Sequence, residues 1–153
     1  MKGRKRFVVV DTLGLPILFR IVPASVQESD GGPPAIGEAK NRSPCLSLVW
    51  ADSGYNDKCV QTVREKYGIT LEIVTRPDQG DKRRWTLPGA EPQPVDRGFR
   101  LLPHRWVVER TFAWILNNRR LVRDYEATIA SSLGWLFIAF IRLLAQRLGM
   151  VAA

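Results

Sequence analysis

The sequence has few residues of the types that form disulfide scaffolds or cysteine-based metal sites. Only two cysteines, Cys45 and Cys59, and one histidine, His104, occur in 153 residues. The two cysteines lie in no metal-ligand spacing, and no secretory signal is visible, because KGRKR at the start is followed by the strand-like run FVVV. We therefore expect reduced thiols in a bacterial-type cytoplasm.

A long hydrophobic run is also missing. The most apolar stretch, LGWLFIAFI at 133–141, ends at Arg142, and it is far shorter than the roughly 20 residues that a membrane span needs. The stretch predicts a buried helix, and no membrane partner is expected.

Acidic residues are scarce relative to basic ones. Lys and Arg number 23 against 15 Asp and Glu, which gives a formal charge of +8. Between residues 97 and 123 the only acid is Glu109, among these arginines: Arg97, Arg100, Arg105, Arg110, Arg119, Arg120 and Arg123. Because the guanidinium group forks onto phosphate, this segment favours nucleic acid as the partner. The alternative is a basic protein that is merely soluble.

The order of predicted elements indicates the fold class. RFVVV at 6–10 and PILFRIV at 16–22 are joined by DTLGL, which predicts a β-hairpin. CLSLVWA at 45–51 and ITLEIVT at 69–75 flank the helical DKCVQTVREKYG, which predicts a parallel βαβ unit whose first strand is covered on both faces. The sequence therefore predicts one domain over 1–153, of the α/β or α+β class with a mixed sheet.

The remaining segments predict helices and one long loop. AIGEAKNR predicts a short helix that begins after Pro33-Pro34. Residues 77–103 are rich in proline and contain DKRRW, with Arg83 and Arg84, which indicates a long loop or insertion that contacts DNA. Residues 104–118 predict a helix whose apolar stripe is Val108, Thr111, Phe112, Ile115 and Leu116. The apolar helix at 128–147 is expected to pack into the body.

Two carboxylates are candidates for a metal site. Asp52 follows a predicted strand, and Glu109 lies in the middle of the predicted helix 104–118. Two carboxylates about 4 Å apart repel by roughly 4 kcal/mol at an effective dielectric constant near 20, so a shared site requires a cation, and Mg²⁺ fits best. The alternative is that Asp52 only caps a turn and that Glu109 pairs with Arg105 on its own helix.

The motifs KGRKRFVVVDTLGLPI, VWADSGY, RPD, RGF and RWVVERTFAWILNNRRLVRDYE resemble the C-terminal part of bacterial insertion-sequence transposases of the Asp-Asp-Glu type. The likeness extends over nearly the whole chain. It implies a ribonuclease-H-like fold, in which Asp52 matches the second catalytic Asp and Glu109 matches the Glu. It also implies that two Mg²⁺ or Mn²⁺ ions are bound by these acids, and that Arg105, Arg110, Arg119 and Arg120 hold phosphates of transposon ends and target DNA.

The chain departs from the family's pattern in three places. Leu102 and Leu116 stand where related groups have a tyrosine and a lysine. The family's first Asp lies on a strand upstream of the hairpin, so we expect this chain to lack the first catalytic Asp and the first, central strand. Asp11 is the only early acid in a position to replace that Asp, but DTLG predicts a turn. We therefore expect marginal stability alone, with pairing to an upstream transposase segment or a second protomer.

Three functions are compatible with the sequence. The first is a transposase catalytic-domain fragment that performs DNA cleavage and strand transfer only when the upstream part is supplied. The second is a noncatalytic DNA-binding remnant, and the third is an RNA-binding protein, which is disfavoured because Trp106, Phe112 and Trp114 are expected in the core rather than exposed for base stacking. Trp85 in the basic loop is an exception. We expect His104 to cap a helix or to contact phosphate rather than to act as a base.

Overall fold

The computed structural model describes residues 3–74 and 105–149. The predicted loop at 77–103, with Arg83, Arg84 and Trp85, lies outside the described residues, as does His104. The elements, in chain order, are β1 (Arg4–Val10), β2 (Pro16–Pro23), α1 (Glu28–Arg42), β3 (Leu48–Asp52), α2 (Asp57–Tyr67), β4 (Thr70–Val74), α3 (Arg105–Leu116), a short 3-10 helix (Arg119–Leu121) and α4 (Ile129–Arg147).

The predicted hairpin is confirmed. β1 and β2 pair antiparallel from Arg4 opposite Pro23. The Asp11 carboxylate accepts hydrogen bonds from the backbone N–H groups of Leu13 and Leu15, at 2.9 and 2.7 Å. Asp11 therefore builds the turn, which is the role that its sequence context predicts.

The predicted βαβ unit is also confirmed. β3 and β4 pair in parallel, with Asp52 opposite Val74. Between them, the Asn56 side chain caps α2 by accepting from the backbone N–H of Cys59 at 3.0 Å, and Gly68 ends the helix with φ of 65°. Both residues have the conformations that helix termini favour.

The prediction for α1 is wrong in length, because the helix begins at Glu28 and contains Pro33 and Pro34. Pro33 has no N–H to donate to the carbonyl of Ser29 four residues earlier. The thiol of Cys59 on α2 donates to that carbonyl at 3.0 Å instead. A contact from another helix therefore supplies the hydrogen bond that the proline removes.

Helix α1 packs against the hairpin and against the βαβ unit through α2 and the turn after β3. Three glycines on α1 lie against aromatic rings: Gly31 against Phe7, Gly32 against Tyr55 and Gly37 against Tyr67. In each pair the nearest ring atom is within 2.6 Å of the position that a Cβ on the glycine would take. These rings come from β1, from the turn after β3 and from α2. A Cβ on any of the three glycines would collide with a ring, so the glycines allow the close approach.

The described strands form two separate two-stranded sheets, β1–β2 and β3–β4, rather than one mixed sheet. The chain is thus a mixed α/β protein with small sheets. The prediction that the first strand of the βαβ unit is covered on both faces is wrong, because no residue of β3 is buried. Trp50, in the middle of β3, is 37% exposed.

Helices α3 and α4 form a hydrophobic core with β2. It comprises Phe19, Ile21, Ile115, Leu121, Leu136 and Phe140. The predicted stripe of α3 is wrong in part, since Thr111 and Ile115 are buried but Phe112 and Leu116 are exposed, and Trp106 is also exposed. The helix therefore turns a different edge toward β1 than its apolar spacing indicated.

Among the described residues, α4 alone is long and apolar enough to cross a membrane. Its buried residues, Ser132, Leu136 and Phe140, face the core of the domain. The other face of α4 is exposed, so the prediction that this helix packs into the body is correct for one face only.

Candidate functional site

Asp52 is the last residue of β3, and its side chain is exposed. Its Oδ1 accepts a hydrogen bond from the backbone N–H of Gly54 at 3.1 Å, so the residue has the turn-capping contact that was one of its two predicted roles. Burial, followed by the negative charges of Asp52 and Glu28, raises the pKa of Tyr55 to about 12. The Asp52 carboxylate thus belongs to a local group with Tyr55 and Glu28.

The end of β3 lies beside the start of the hairpin. The Cγ of Glu28 is 3.3 Å from the position that a Cβ would have on Gly54. Glu28 also forms an ion pair with Lys5 near the start of β1, at 2.9 Å, and this hydrogen bond lowers the pKa of Glu28.

Glu109 lies on α3, where its side chain is exposed. Its neighbours in sequence bind the other end of the hairpin, because the hydroxyl of Thr111 donates to the carbonyl of Gly14 at 2.7 Å and Arg110 donates to the carbonyl of Leu13. These contacts fix this part of α3 at the hairpin turn.

The contacts near Asp52 therefore lead to the start of β1, and those of the residues next to Glu109 lead to the hairpin turn. Within 3–74 and 105–149 there is no group of three or more acidic, histidine or cysteine side chains suited to a metal ion. The pairing of Asp52 and Glu109 stays a prediction.

Arg110, predicted to bind phosphate, is engaged inside the domain. Its guanidinium lies 4.5 Å from the ring centre of Trp106 and 5.0 Å from that of Trp114. The guanidinium of Arg147 from α4 lies 4.3 Å from the ring centre of Trp114. Cation–π contacts of this kind contribute about 0.5–2 kcal/mol each. Sequence analysis missed this role, although the spacing of four residues between Trp106, Arg110 and Trp114 was its signal.

The other predicted phosphate ligands differ in their surroundings. Arg120 donates to the Glu126 carboxylate at 2.7 and 3.0 Å and lies over the ring of Trp135. Arg119 is exposed, and within the described part of the chain its side chain has no hydrogen bond or ion pair. Arg105 is the first residue of α3. The guanidinium of Arg119 is therefore presented to solvent, where a polyanion can reach it.

Asp124 connects the start of α4 to β1, a role without any local sequence signal. Its carboxylate accepts from Arg4 at 3.3 Å, from the Ser132 hydroxyl at 3.1 Å and from the backbone N–H of Glu126 at 3.2 Å. Burial alone would raise the pKa of Asp124, but the three sets of hydrogen bonds outweigh it and lower the pKa. The partner Arg4 is 120 residues away in sequence.

These features define a basic, mixed α/β domain with one acid at the end of a parallel strand and another on a helix. Comparison with known families makes the assignment specific: the chain belongs to the transposase DDE domain family, whose model matches residues 1–144.

A curated relative supports this assignment. Over 131 residues the chain is 29% identical to a Burkholderia cepacia protein named as a transposase for insertion sequence element IS402. The match covers 81% of this chain but 54% of the relative, so the chain spans about half of that relative's length. No solved structure matches the chain.

Proposed function

We propose that the chain is a catalytic-domain fragment of a DNA transposase, with a ribonuclease-H-like fold that lacks one central strand. Asp52 and Glu109 are two of its acidic residues, and the fragment does not cleave DNA by itself. Its role in DNA transposition follows from the family. The single observation that supports the incomplete fold is the division of four strands into two sheets.

The division into two sheets is compatible with a strand missing between them. Each sheet pairs through one edge of each strand, so β1 and β3 each keep an unpaired edge within the described residues. Helix α1 contacts β1 through Phe7 and the turn after β3 through Tyr55. In the proposed fold, a strand between β1 and β3 would lie about 4.8 Å from each and would run parallel to β3 and antiparallel to β1.

The described residues do not fit two Mg²⁺ or Mn²⁺ ions as they stand. They contain no group of three or more acidic, histidine or cysteine side chains suited to a metal ion, and the family's first Asp has no counterpart among them. Divalent ions, when bound, would supply the Lewis acid for phosphodiester cleavage in this family. For this chain, completion of the site requires a further acid beside Asp52.

A second candidate function is a noncatalytic DNA-binding remnant of a transposase. The observation that favours it is that the described residues contain no group of three or more acidic, histidine or cysteine side chains suited to a metal ion. In both candidates the formal charge of +8 gives salt-dependent, sequence-tolerant binding to phosphates. The candidates differ only in whether cleavage appears when the chain is completed.

The test is nicking of supercoiled plasmid with Mg²⁺ or Mn²⁺. It compares the chain alone with the chain co-expressed with the part of the IS402 relative that the match does not cover. We expect nicking only in the second case, and we expect Asp52→Asn and Glu109→Gln to abolish it. Asp30→Asn and Glu65→Gln change the same groups at other exposed sites and serve as matched controls that keep full activity.

The outcomes separate the candidates. DNA binding without nicking in any combination favours the noncatalytic remnant. Loss of nicking in the controls as well as in the site variants would contradict the assigned residues. Absence of DNA binding at 50 mM salt, measured by fluorescence anisotropy, would contradict both functions, since binding of basic residues to phosphates is strong at low salt.

A further inference from the structure

A small notch lies between the end of α3 and the second half of α4. Its volume is about 150 Å³, and its lining combines the ring of Trp114 and apolar side chains of α4 with three polar side chains, those of Asn117, Arg142 and Gln146. Arg142 and Gln146 are four residues apart and therefore lie on one side of α4. Asn117 reaches the notch from α3, so both helices contribute polar groups.

Arginines surround the notch without any carboxylate. Arg142 lines it directly, and the guanidinium groups of Arg110 and Arg147 lie over the Trp114 ring, 5.0 and 4.3 Å from its centre. Among the residues that the structure describes, none of these three arginines forms an ion pair. Residues 127–153 contain no Asp or Glu. Because like charges in one small region repel, this group of arginines is suited to an anion that comes from outside the domain.

The end of α3 presents little opposition to such an anion. The last carbonyl groups of a helix carry partial negative charge when they lack a hydrogen-bond donor. Here the side-chain amide of Asn118 donates to the Trp114 carbonyl at 2.9 Å, and the backbone N–H of Asn117 donates to the Ala113 carbonyl at 3.0 Å. These carbonyls are therefore already paired.

The size of the notch selects the kind of anion. A water molecule occupies about 30 Å³, so the notch holds on the order of five heavy atoms, which is the size of a phosphate group. Pockets for larger small molecules have volumes of about 300 Å³ or more. The guanidinium of Arg142 is suited to two phosphate oxygens, and the amides of Asn117 and Gln146 are further donors.

We propose that this notch binds a phosphate of the DNA backbone, with Arg142 as its main ligand. The identity of the ligand as DNA rests on the function proposed above. Asn117 is eight residues beyond Glu109, or about 12 Å along the axis of α3. The phosphate bound here is therefore not one that Glu109 contacts, and its role is to fix the position of the duplex on the domain.

The first test is fluorescence anisotropy of a labelled duplex with the full chain at several salt concentrations. We expect Arg142→Ala to weaken binding about fivefold and to reduce the slope of log K against log salt by about one, because one phosphate contact is lost. Arg64→Ala removes the same charge from an exposed position on α2 and should leave the slope unchanged. Equal slopes for the two variants would overturn the proposal.

A second pair of variants keeps the size of the side chain. Asn117→Asp places a negative charge in the notch and should weaken duplex binding. Asn41→Asp changes the same group at an exposed position on α1 and should bind as the wild type does. Circular dichroism shows whether each variant remains folded, and wild-type affinity in a folded Asn117→Asp variant would also overturn the proposal.

Nuclear magnetic resonance separates the notch from the proposed function. The side-chain amide signals of Asn117 and Gln146 should shift when either inorganic phosphate or the duplex is added, and Arg142→Ala should abolish both shifts. Duplex binding that leaves these signals unchanged would overturn the notch as a DNA site while the proposed function stands. A shift with inorganic phosphate, in a chain that binds no duplex, would identify free phosphate as the ligand and would contradict the proposed function.

Discussion

Replacement of Thr111 by valine is expected to weaken the attachment of α3 to the hairpin. The side chain of Thr111 is 0% exposed, and its hydroxyl donates to the Gly14 carbonyl at 2.7 Å, with the Val107 carbonyl 3.1 Å away. Valine has nearly the same shape, so it leaves the packing in place. The change removes the donor and leaves the buried carbonyl of Gly14 without its partner.

The expected loss of stability follows from that unpaired carbonyl. A buried polar group that loses its hydrogen bond lowers the free energy of unfolding by about 1–3 kcal/mol. For a chain of this size, each kcal/mol lost lowers the Tm by about 2–4 °C. Urea unfolding followed by circular dichroism measures the change. The backbone hydrogen bonds within α3 are unchanged, so the m-value should stay constant.

Thr62→Val is the matched control for this experiment. The hydroxyl of Thr62 donates at 2.8 Å to the carbonyl of Lys58, which lies within the same helix, and it reaches no other element. Its removal should change the free energy of unfolding by less than about 0.5 kcal/mol. Equal effects of the two substitutions would refute the argument that the contact between α3 and the hairpin turn gives Thr111 its importance.

Two further predictions concern the contacts that fix α3 and α4. Gly14→Ala is expected to lower the free energy of unfolding by at least about 1 kcal/mol more than Gly149→Ala does. Both glycines have φ near 70–80°, but only Gly14 has neighbours, at 3.1–3.3 Å, around the added Cβ. Equal losses of stability in thermal unfolding would contradict this. The lowered pKa of Asp124 contributes stability that is present above the ordinary value of 3.8 and is lost as the pH falls through the lowered pKa. Asp124→Asn should therefore reduce stability at pH 7 and flatten its decline below pH 4, and a decline as steep as that of the wild type would assign the acid sensitivity to other groups.

The elements that could be predicted from the sequence depend on neighbouring residues. The hairpin turn depends on Asp11 and Gly14, and the ends of α2 depend on Asn56 and Gly68, so each signal lies within a few residues of the structure it determines. α1 could not be predicted in full, because Pro33 normally ends a helix. The compensating hydrogen bond comes from Cys59, which is distant in sequence.

The candidate site was less predictable than the elements that hold it. The positions of Asp52 at a strand end and of Glu109 on a helix follow from local patterns. Their distance depends on how α3 packs on the hairpin, and that is decided by Thr111 and Arg110, whose partners are 97 residues away. The apolar spacing of α3 is compatible with burial of either of two edges of the helix. The buried hydrogen bond from Thr111 to Gly14 favours the orientation that leaves Phe112 exposed.

The unpaired edges of the two small sheets should limit the stability of the chain. Two-stranded sheets are marginal on their own, so the free edges of β1 and β3 should be stabilised by a strand from another segment. A ligand that binds the native state raises stability by RT ln(1 + [L]/Kd). A co-expressed strand should therefore raise the Tm of the chain at fixed concentration, and an unchanged Tm would show that these edges do not bind it.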